Sequence, residues 1–347
     1  MDRHGWNRLL VLNVRAGVRR SASPRLPGVK VLVAGGAGYI GSVVTAALVE
    51  AGHEAVVLDD LSTGHRDAVP GGASFVESSL SDVGQVLTAD AGFDAVIHLA
   101  AKSLVGESEQ KPELYWRENV GGAMDLLDAM RAADVRRIVF SSSAATYGEP
   151  DAIPITEDAR TEPTNVYGAT KLTIDRMLTG EARIHGLAAV SLRYFNAAGA
   201  AYGLGERHAT ETHLIPIALQ VVCGERDRMS VHGTDYPTED GTCVRDYVHV
   251  ADLAAAHLLT LKAVRPGEHR IYNLGSGSGY SVREVISAVR EVTGHRVPVE
   301  DGPRRSGDPA VLVASSARIG ADVGWAARRT LIDMVSDSYA ALRPRTD

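Results

Sequence analysis

Residues 29–42 read VKVLVAGGAGYIGS. An apolar run over 29–34 stops at a glycine cluster, and a helical pattern follows from Gly41 to about Gly52. Glycine lets the backbone turn sharply and come close to a pyrophosphate, and the following helix N-terminus offers free N–H groups and positive partial charge to phosphate. Gly35, Gly38 and Gly41 therefore have the spacing of a strand–turn–helix dinucleotide cradle. Three glycines could also make a plain structural turn. The next strand favours the cradle, because the apolar run 55–58 leads into Asp59. A carboxylate at that point can accept both hydroxyls of an adenosine ribose, which selects NAD over NADP; a 2′-phosphate would call for arginine. Asp60 reads equally well as a solvated loop acid.

Working outward, further apolar runs occupy 95–99, 137–140 and 188–192, with helical stretches between them, one of them over 112–133. Short apolar strands alternating with helices imply parallel βαβ units. The predicted fold is α/β: a Rossmann-like, doubly wound parallel sheet over residues 29–197. A smaller, mixed α/β substrate-binding domain is expected over 198–347, where the pattern loosens into loops and short helices such as 281–293.

Composition narrows the function. The chain has 347 residues, 45% apolar and 23% charged, with a net charge of −7. That excludes a disordered chain and gives no basic excess for non-specific nucleic-acid binding. The only cysteines are Cys223 and Cys243, so neither a disulfide framework nor a zinc cluster is expected, no metal site is called, and a reducing, cytoplasmic setting fits. No apolar run approaches the roughly 20 residues that span a bilayer. The first 28 residues carry six arginines and a single acid, and read as a flexible extension.

The chemistry is carried by Tyr167-Gly-Ala-Thr-Lys171. A spacing of four puts both side chains on one helical face. An ammonium favours the phenolate, as does a cationic nicotinamide ring, and together they are expected to bring the phenol towards neutrality as a general base. Such spacing also arises by chance, but the chain has only five lysines. Ser141, Ser142 and Ser143 end the strand that begins near residue 137, and Ser143, furthest along, is the candidate hydroxyl between substrate and phenolate.

These residues resemble the extended short-chain dehydrogenase/reductase superfamily. The stretches GGAGYIGS, VGESEQKP, SSSAATYGEP, LRYFNAAGA, DYPTEDGTCVRDYVHV, YNLGSG and PRRSGDPA narrow the resemblance to its UDP-glucose 4-epimerase family, over nearly the whole chain after the extension. The resemblance implies NAD as cofactor and UDP-glucose and UDP-galactose as substrates, interconverted through a 4-ketose. It implies Tyr167 as base, Lys171 as its tuner and Ser143 as the hydroxyl that helps the proton move. The Gly35–Gly41 loop, including Tyr39 and Ile40, would hold NAD together with Asp59, Asn119, Lys171 and Tyr194. Phe195 and Asn196 would begin the nucleotide-sugar site, and Leu214, Arg245, Arg305 and Asp308 would bind UDP. Arginine suits a diphosphate because its planar fork makes two hydrogen bonds at once. An internal salt bridge from Arg245 to Asp246 is the alternative. Many members of the family are homodimers through a four-helix contact, and a homodimer is expected here.

The sequence departs from the family pattern in places. Ser78-Ser79-Leu80 stands where an aspartate often meets the adenine, which predicts a weaker hold on NAD. Ser103 replaces a common lysine, His213 a common asparagine, and Leu312 falls where some members carry a tyrosine that crowds the sugar's 2-position. A 4,6-dehydratase would want Asp-Glu after the strand-end hydroxyl, and Ala144-Ala145 stand there instead. A UDP-sugar oxidoreductase or decarboxylase, or an inactive NAD-binding module, are further alternatives; the last would usually have lost Tyr167 or Lys171.

Overall fold

The structure is a computed structural model that describes residues 28–305 and 308–342; the arginine-rich extension lies outside the described residues apart from Gly28. Its first half alternates strands and helices. In chain order these are β1 (Lys30–Ala34), α1 (Tyr39–Glu50), β2 (Glu54–Asp59), β3 (Ser74–Glu77) and β4 (Ala95–His98). There follow α2 (Val105–Gln110), α3 (Pro112–Tyr115), a π-helical turn (Trp116–Gly121), α4 (Gly122–Ala132), β5 (Arg137–Ser143), α5 (Val166–His185) and β6 (Ala188–Tyr194). The second half holds β7 (Asn196–Ala198), α6 (Leu214–Val222), β8 (Met229–His232), β9 (Val244–His249), α7 (Val250–Ala263) and β10 (His269–Leu274). It ends with β11 (Gly279–Ser281), α8 (Val282–Thr293), β12 (Val299–Gly302), β13 (Val311–Leu312), α9 (Ala317–Val323) and α10 (Leu331–Leu342).

Seven strands form one parallel sheet in the order β10-β6-β5-β4-β1-β2-β3. Apolar β-branched runs such as Val31-Leu32-Val33 are wholly buried because helices cover both faces of the sheet. The order reverses between β1 and β4, and a ligand crevice opens beyond the strand ends at such a switch point. The glycine turn is built for close approach: a Cβ on Gly41 would lie 2.0 Å from the Gly35 carbonyl oxygen.

Two elements differ from the sequence reading. β3 is a half-exposed edge strand, Ser-Phe-Val-Glu, too short and too polar to stand out as an apolar run. α7 and β10 come from beyond residue 197 yet return to the main sheet, where β10 pairs with β6 and α7 packs on α1. The two layers are therefore interleaved in sequence rather than meeting at a single cut. Of the remaining strands, β9 lies between β11 and β13 and also pairs with β7 in one small sheet, and β8 pairs with β12 in another. Helices α6, α8 and α10 pack against that layer through Ile215, Leu219, Val285, Val289, Met334 and Val335. Among the described residues no helix is long and apolar enough to cross a membrane.

Candidate active site

The cradle starts at α1. Gly38 caps this helix with no side-chain acceptor, and the first turn carries no acid. Its free N–H groups and dipole are thus left for an anionic ligand. Asp59 ends β2, 8% exposed, and its carboxylate accepts from the backbone N–H of Ala37 at 3.0 Å and of Leu61 at 2.9 Å. Burial raises its pKa, and these backbone bonds draw it back down. Asp59 so ties the glycine turn to the loop after β2, where His65 N–H bonds the Ala37 carbonyl at 2.9 Å. An uncapped helix, a bare glycine turn and a strand-end carboxylate fit the diphosphate and ribose of a dinucleotide. Ser79, where the family often has an aspartate, begins the 3₁₀ turn Leu80–Gln85 and spends its hydroxyl on Ser81 and Asp82.

Asn119 sits in the π turn, fully buried. Its side-chain oxygen accepts from Lys102 N–H at 2.8 Å, and its amide donates to the Lys102 carbonyl at 3.0 Å and to Thr170 at 3.1 Å. It clamps the loop after β4 onto α5. The Tyr194 hydroxyl lies 2.6 Å from His257 Nε2 on α7, so that oxygen has a partner inside the protein.

Tyr167 is placed by the start of α5. Asn165 caps this helix at Gly168 N–H, 2.8 Å, while Ser108 and Glu109 of α2 accept from the N–H groups of Tyr167 and Val166. A Cβ on Gly168 would lie 2.4 Å from the Ala145 carbonyl oxygen, so glycine lets α5 press against the turn that follows β5. That contact brings Tyr167 beside Ser143, whose hydroxyl favours the phenolate. Ser143 also accepts from Ala145 N–H at 3.1 Å.

Lys171 lies one turn further along, 2% exposed, with its ammonium on the Ser141 carbonyl at 2.7 Å, 4.8 Å from the Phe140 ring and 5.8 Å from the Tyr167 ring. Burial lowers it to about 7, against the pull of Asp175. Burial likewise raises Tyr167, opposed by the neighbouring Ser143 hydroxyl. The expected depression of the phenol is therefore not a property of the protein alone. The same desolvation that would strengthen the lysine's field also weakens its charge.

On the substrate side, Arg245 is paired with Asp308 and also donates to the Pro309 carbonyl at 2.7 Å. The alternative pairing with Asp246 is absent: Asp246 accepts instead from Ser276 and the N–H groups of Gly277 and Ala314, tying β9 to the turn after β10 and to the segment after β13. Arg305 is exposed. Asn196 donates to the Asp246 carbonyl at 3.1 Å. Leu214 opens α6. Phe195 and Leu312 belong to one apolar cluster with Tyr147, Ile155, Ala314 and Ala144, the residue after Ser143. Leu312 thus packs in the cluster that adjoins the turn after Ser143.

Two functional neighbours escaped the sequence reading. Asp175, one turn after Lys171, is 2% exposed and pairs with Arg193 of β6 at 2.9 Å, and Ser142 donates to the same oxygen at 3.2 Å. His98 ends β4, 1% exposed, with no hydrogen-bond partner on either ring nitrogen. Its spacing from Lys171 carries no signal in the sequence; only its place at the end of an apolar strand run hinted at it.

Comparison with known proteins agrees with this geometry. Residues 31–275 match the model of the NAD dependent epimerase/dehydratase family. A UDP-glucose 4-epimerase of Corynebacterium glutamicum is 55% identical over 312 residues, covering 90% of this chain and 95% of that protein. One of Streptomyces lividans is 58% identical over 314 residues, covering 89% and 95%. The crystal structure of UDP-glucose-4-epimerase from Stenotrophomonas maltophila, with bound NAD and formylated UDP-arabinopyranose, superimposes with a TM-score of 0.87 at 40% identity, covering 90% of this chain and 97% of that one.

Proposed function

The chain belongs to the NAD dependent epimerase/dehydratase family, and from that premise we propose how this site works. The protein is a UDP-glucose 4-epimerase: it interconverts UDP-glucose and UDP-galactose with NAD, through a 4-keto sugar. When bound, NAD supplies the reversible oxidation at C4. Gly35, Gly38, Tyr39, Ile40 and Gly41 hold its diphosphate at the start of α1, and Asp59 its adenosine ribose. Asn119 keeps the loop after β4 in place beside it, and Lys171 and Tyr194 line the nicotinamide end.

The observation that carries the chemistry is the placing of Tyr167 beside Ser143, whose hydroxyl favours the phenolate, with the buried Lys171 ammonium 5.8 Å from the Tyr167 ring. Tyr167 takes the proton from the sugar 4-hydroxyl through Ser143 and later returns it. Lys171, held by the Ser141 carbonyl, offers its charge to the phenolate as it forms. Phe195 and Leu312 wall the pocket and keep water from the ketone. Asn196, Leu214, Arg245 and Arg305 hold UDP while the ketose turns over, with Asp308 aiming Arg245. Because the reaction oxidises and then reduces one carbon, no net cofactor is consumed.

The runner-up, a UDP-sugar oxidoreductase or decarboxylase of the same family, would consume it. Purified protein incubated with UDP-galactose, with and without added NAD, separates the two. Epimerisation gives UDP-glucose with no stoichiometric reduced cofactor, and a net redox enzyme gives an oxidised or decarboxylated product in step with it. The protein is further proposed to act in the cytoplasm as a homodimer through the helices around α4, where Trp116 and Met124 are exposed at 41% and 54%. Light scattering of the purified chain at a mass of one protomer would refute the dimer.

A further inference from the structure

The segment between β7 and α6 contains Gly-Glu206-Arg-His208-Ala-Thr-Glu211-Thr-His213, and four of its side chains converge on one point. His208 Nδ1 lies 2.9 Å from Glu206 Oε1. His213 Nδ1 lies 2.7 Å from that same oxygen and 2.8 Å from Glu211 Oε1. One donor atom from each of the four residues lies within 4.8 Å of all the others. Both carboxylates are withdrawn from water, with side-chain exposures of 8% for Glu206 and 5% for Glu211, and among the described residues their ion-pair partners are these two histidines alone.

The cluster has more acceptors than donors. A single N–H on His213 Nδ1 faces two carboxylate oxygens, and one of those oxygens also takes His208. A cation satisfies all four atoms at once. Ligand atoms about 2.0–2.2 Å from a tetrahedral metal lie about 3.3–3.6 Å apart, so the three short contacts would open by roughly half an ångström and the wider pairs, all within 4.8 Å, would close in. Glu206 and Glu211 hold a proton on His213, raising its pKa to about 10 against burial, so a divalent ion would bind by displacing that proton, and the donor set then suits a borderline first-row ion rather than magnesium or calcium. The ligands are already held. Glu211 Oε1 accepts from the N–H groups of Thr212 and His213, both at 2.7 Å, and His213 directly precedes α6.

We propose that Glu206, His208, Glu211 and His213 form a binding site for a divalent transition metal of the zinc, cobalt or manganese kind. With four protein ligands the site is closed, so its role is structural. It fastens the segment that leads into α6 beside α1, whose Tyr39 hydroxyl donates to the Gly199 carbonyl at 2.5 Å. The loop after β2 holds the same segment through His65 and the Arg207 carbonyl, 2.9 Å, and through Arg207 and Asp67, 2.8 Å. The ion would thus tie the beginning of the uridine-side helix to the cofactor cradle. The inference does not depend on the reaction assigned above.

The test uses the full chain, stripped with a chelator, dialysed, and titrated with Co²⁺ and separately with Zn²⁺. The expected result is one ion per chain by elemental analysis, the intense visible absorption of four-coordinate Co²⁺, and a higher thermal midpoint with Zn²⁺. Glu206→Gln and His208→Gln, singly and combined in a double variant, each checked for folding by circular dichroism, should weaken uptake by about tenfold or more. Cys223→Ser should leave it unchanged. Uptake well below one ion per chain, or undiminished uptake in the folded double variant, would overturn the site; the cluster would then be a proton-bridged group of acids and histidines.

Discussion

Leu312 is the residue on which we propose that sugar specificity turns. It packs in one apolar cluster with Phe195 and with Ala144, the residue after Ser143. Leucine is smaller than the tyrosine found at this position in some relatives, and an N-acetyl group should fit with about 1–3 kcal/mol of overpacking. UDP-galactose should therefore be the better substrate and UDP-N-acetylgalactosamine a slow one. Leu312→Tyr should abolish the slow reaction and spare the fast one, and Leu312→Ser should raise it. kcat/KM on both sugars checks this, and an unchanged ratio in Leu312→Tyr removes Leu312 as the gate. Residues of this kind were legible because they sit in short local motifs: the glycine turn, the Tyr–Lys spacing, Ser143. Arg245 was not fully legible. Its partner Asp308 is distant in the chain, and the neighbouring Asp246, an equally good partner on paper, points to the turn after β10.

At the scale of elements, α5 and β6 are joined by the buried Asp175–Arg193 pair, with both side chains at most 3% exposed. The same carboxylate raises the pKa of Lys171 against burial, so one residue serves both packing and the catalytic lysine. Asp175→Asn would leave the Arg193 charge buried and unpaired and should lower the unfolding free energy by about 3–5 kcal/mol. Replacing both residues by apolar side chains of like volume should recover most of that loss. Urea unfolding of the three proteins decides the point, and a loss below about 1 kcal/mol for Asp175→Asn would mean that the pair is not what holds β6 to α5. The pair was invisible in the sequence because nothing in a parallel α/β pattern says which polar residues of a helix and a strand face each other. The return of β10 to the main sheet was hidden for a related reason. Its run, His-Arg-Ile-Tyr-Asn-Leu, is half polar at the sheet edge, and its pairing with β6 is a tertiary fact. Strands β1, β2, β4, β5 and β6 were legible because burial on both faces demands continuous apolar runs.

Across the described residues, desolvation favours the neutral form of several histidines, among them the buried His98 and His257 and the partly buried His269. Desolvation lowers His98 to about 3, and His257 and His269 to about 4, from an ordinary 6.5. Below about 6.5 the unfolded chain binds protons at these sites that the native fold refuses, so stability is present above that pH and is lost as the pH falls. The expected loss between neutral pH and about pH 5 is up to about 2 kcal/mol for each. Asp59 and Asp246, both raised by burial, oppose it in a lower range. Urea midpoints across this interval should fall with acid, with a shallower slope in His98→Gln; a flat profile would show that these rings titrate normally. The proposed reaction draws on both layers, with β5 and α5 presenting Ser143, Tyr167 and Lys171 and the β9 layer presenting Arg245 and Leu312. The most direct test of that account is the turnover of UDP-galactose by Tyr167→Phe, with UDP-sugar binding measured separately. The account predicts a fall of roughly 10²–10⁴ with binding retained, and turnover near that of the unaltered protein would contradict it.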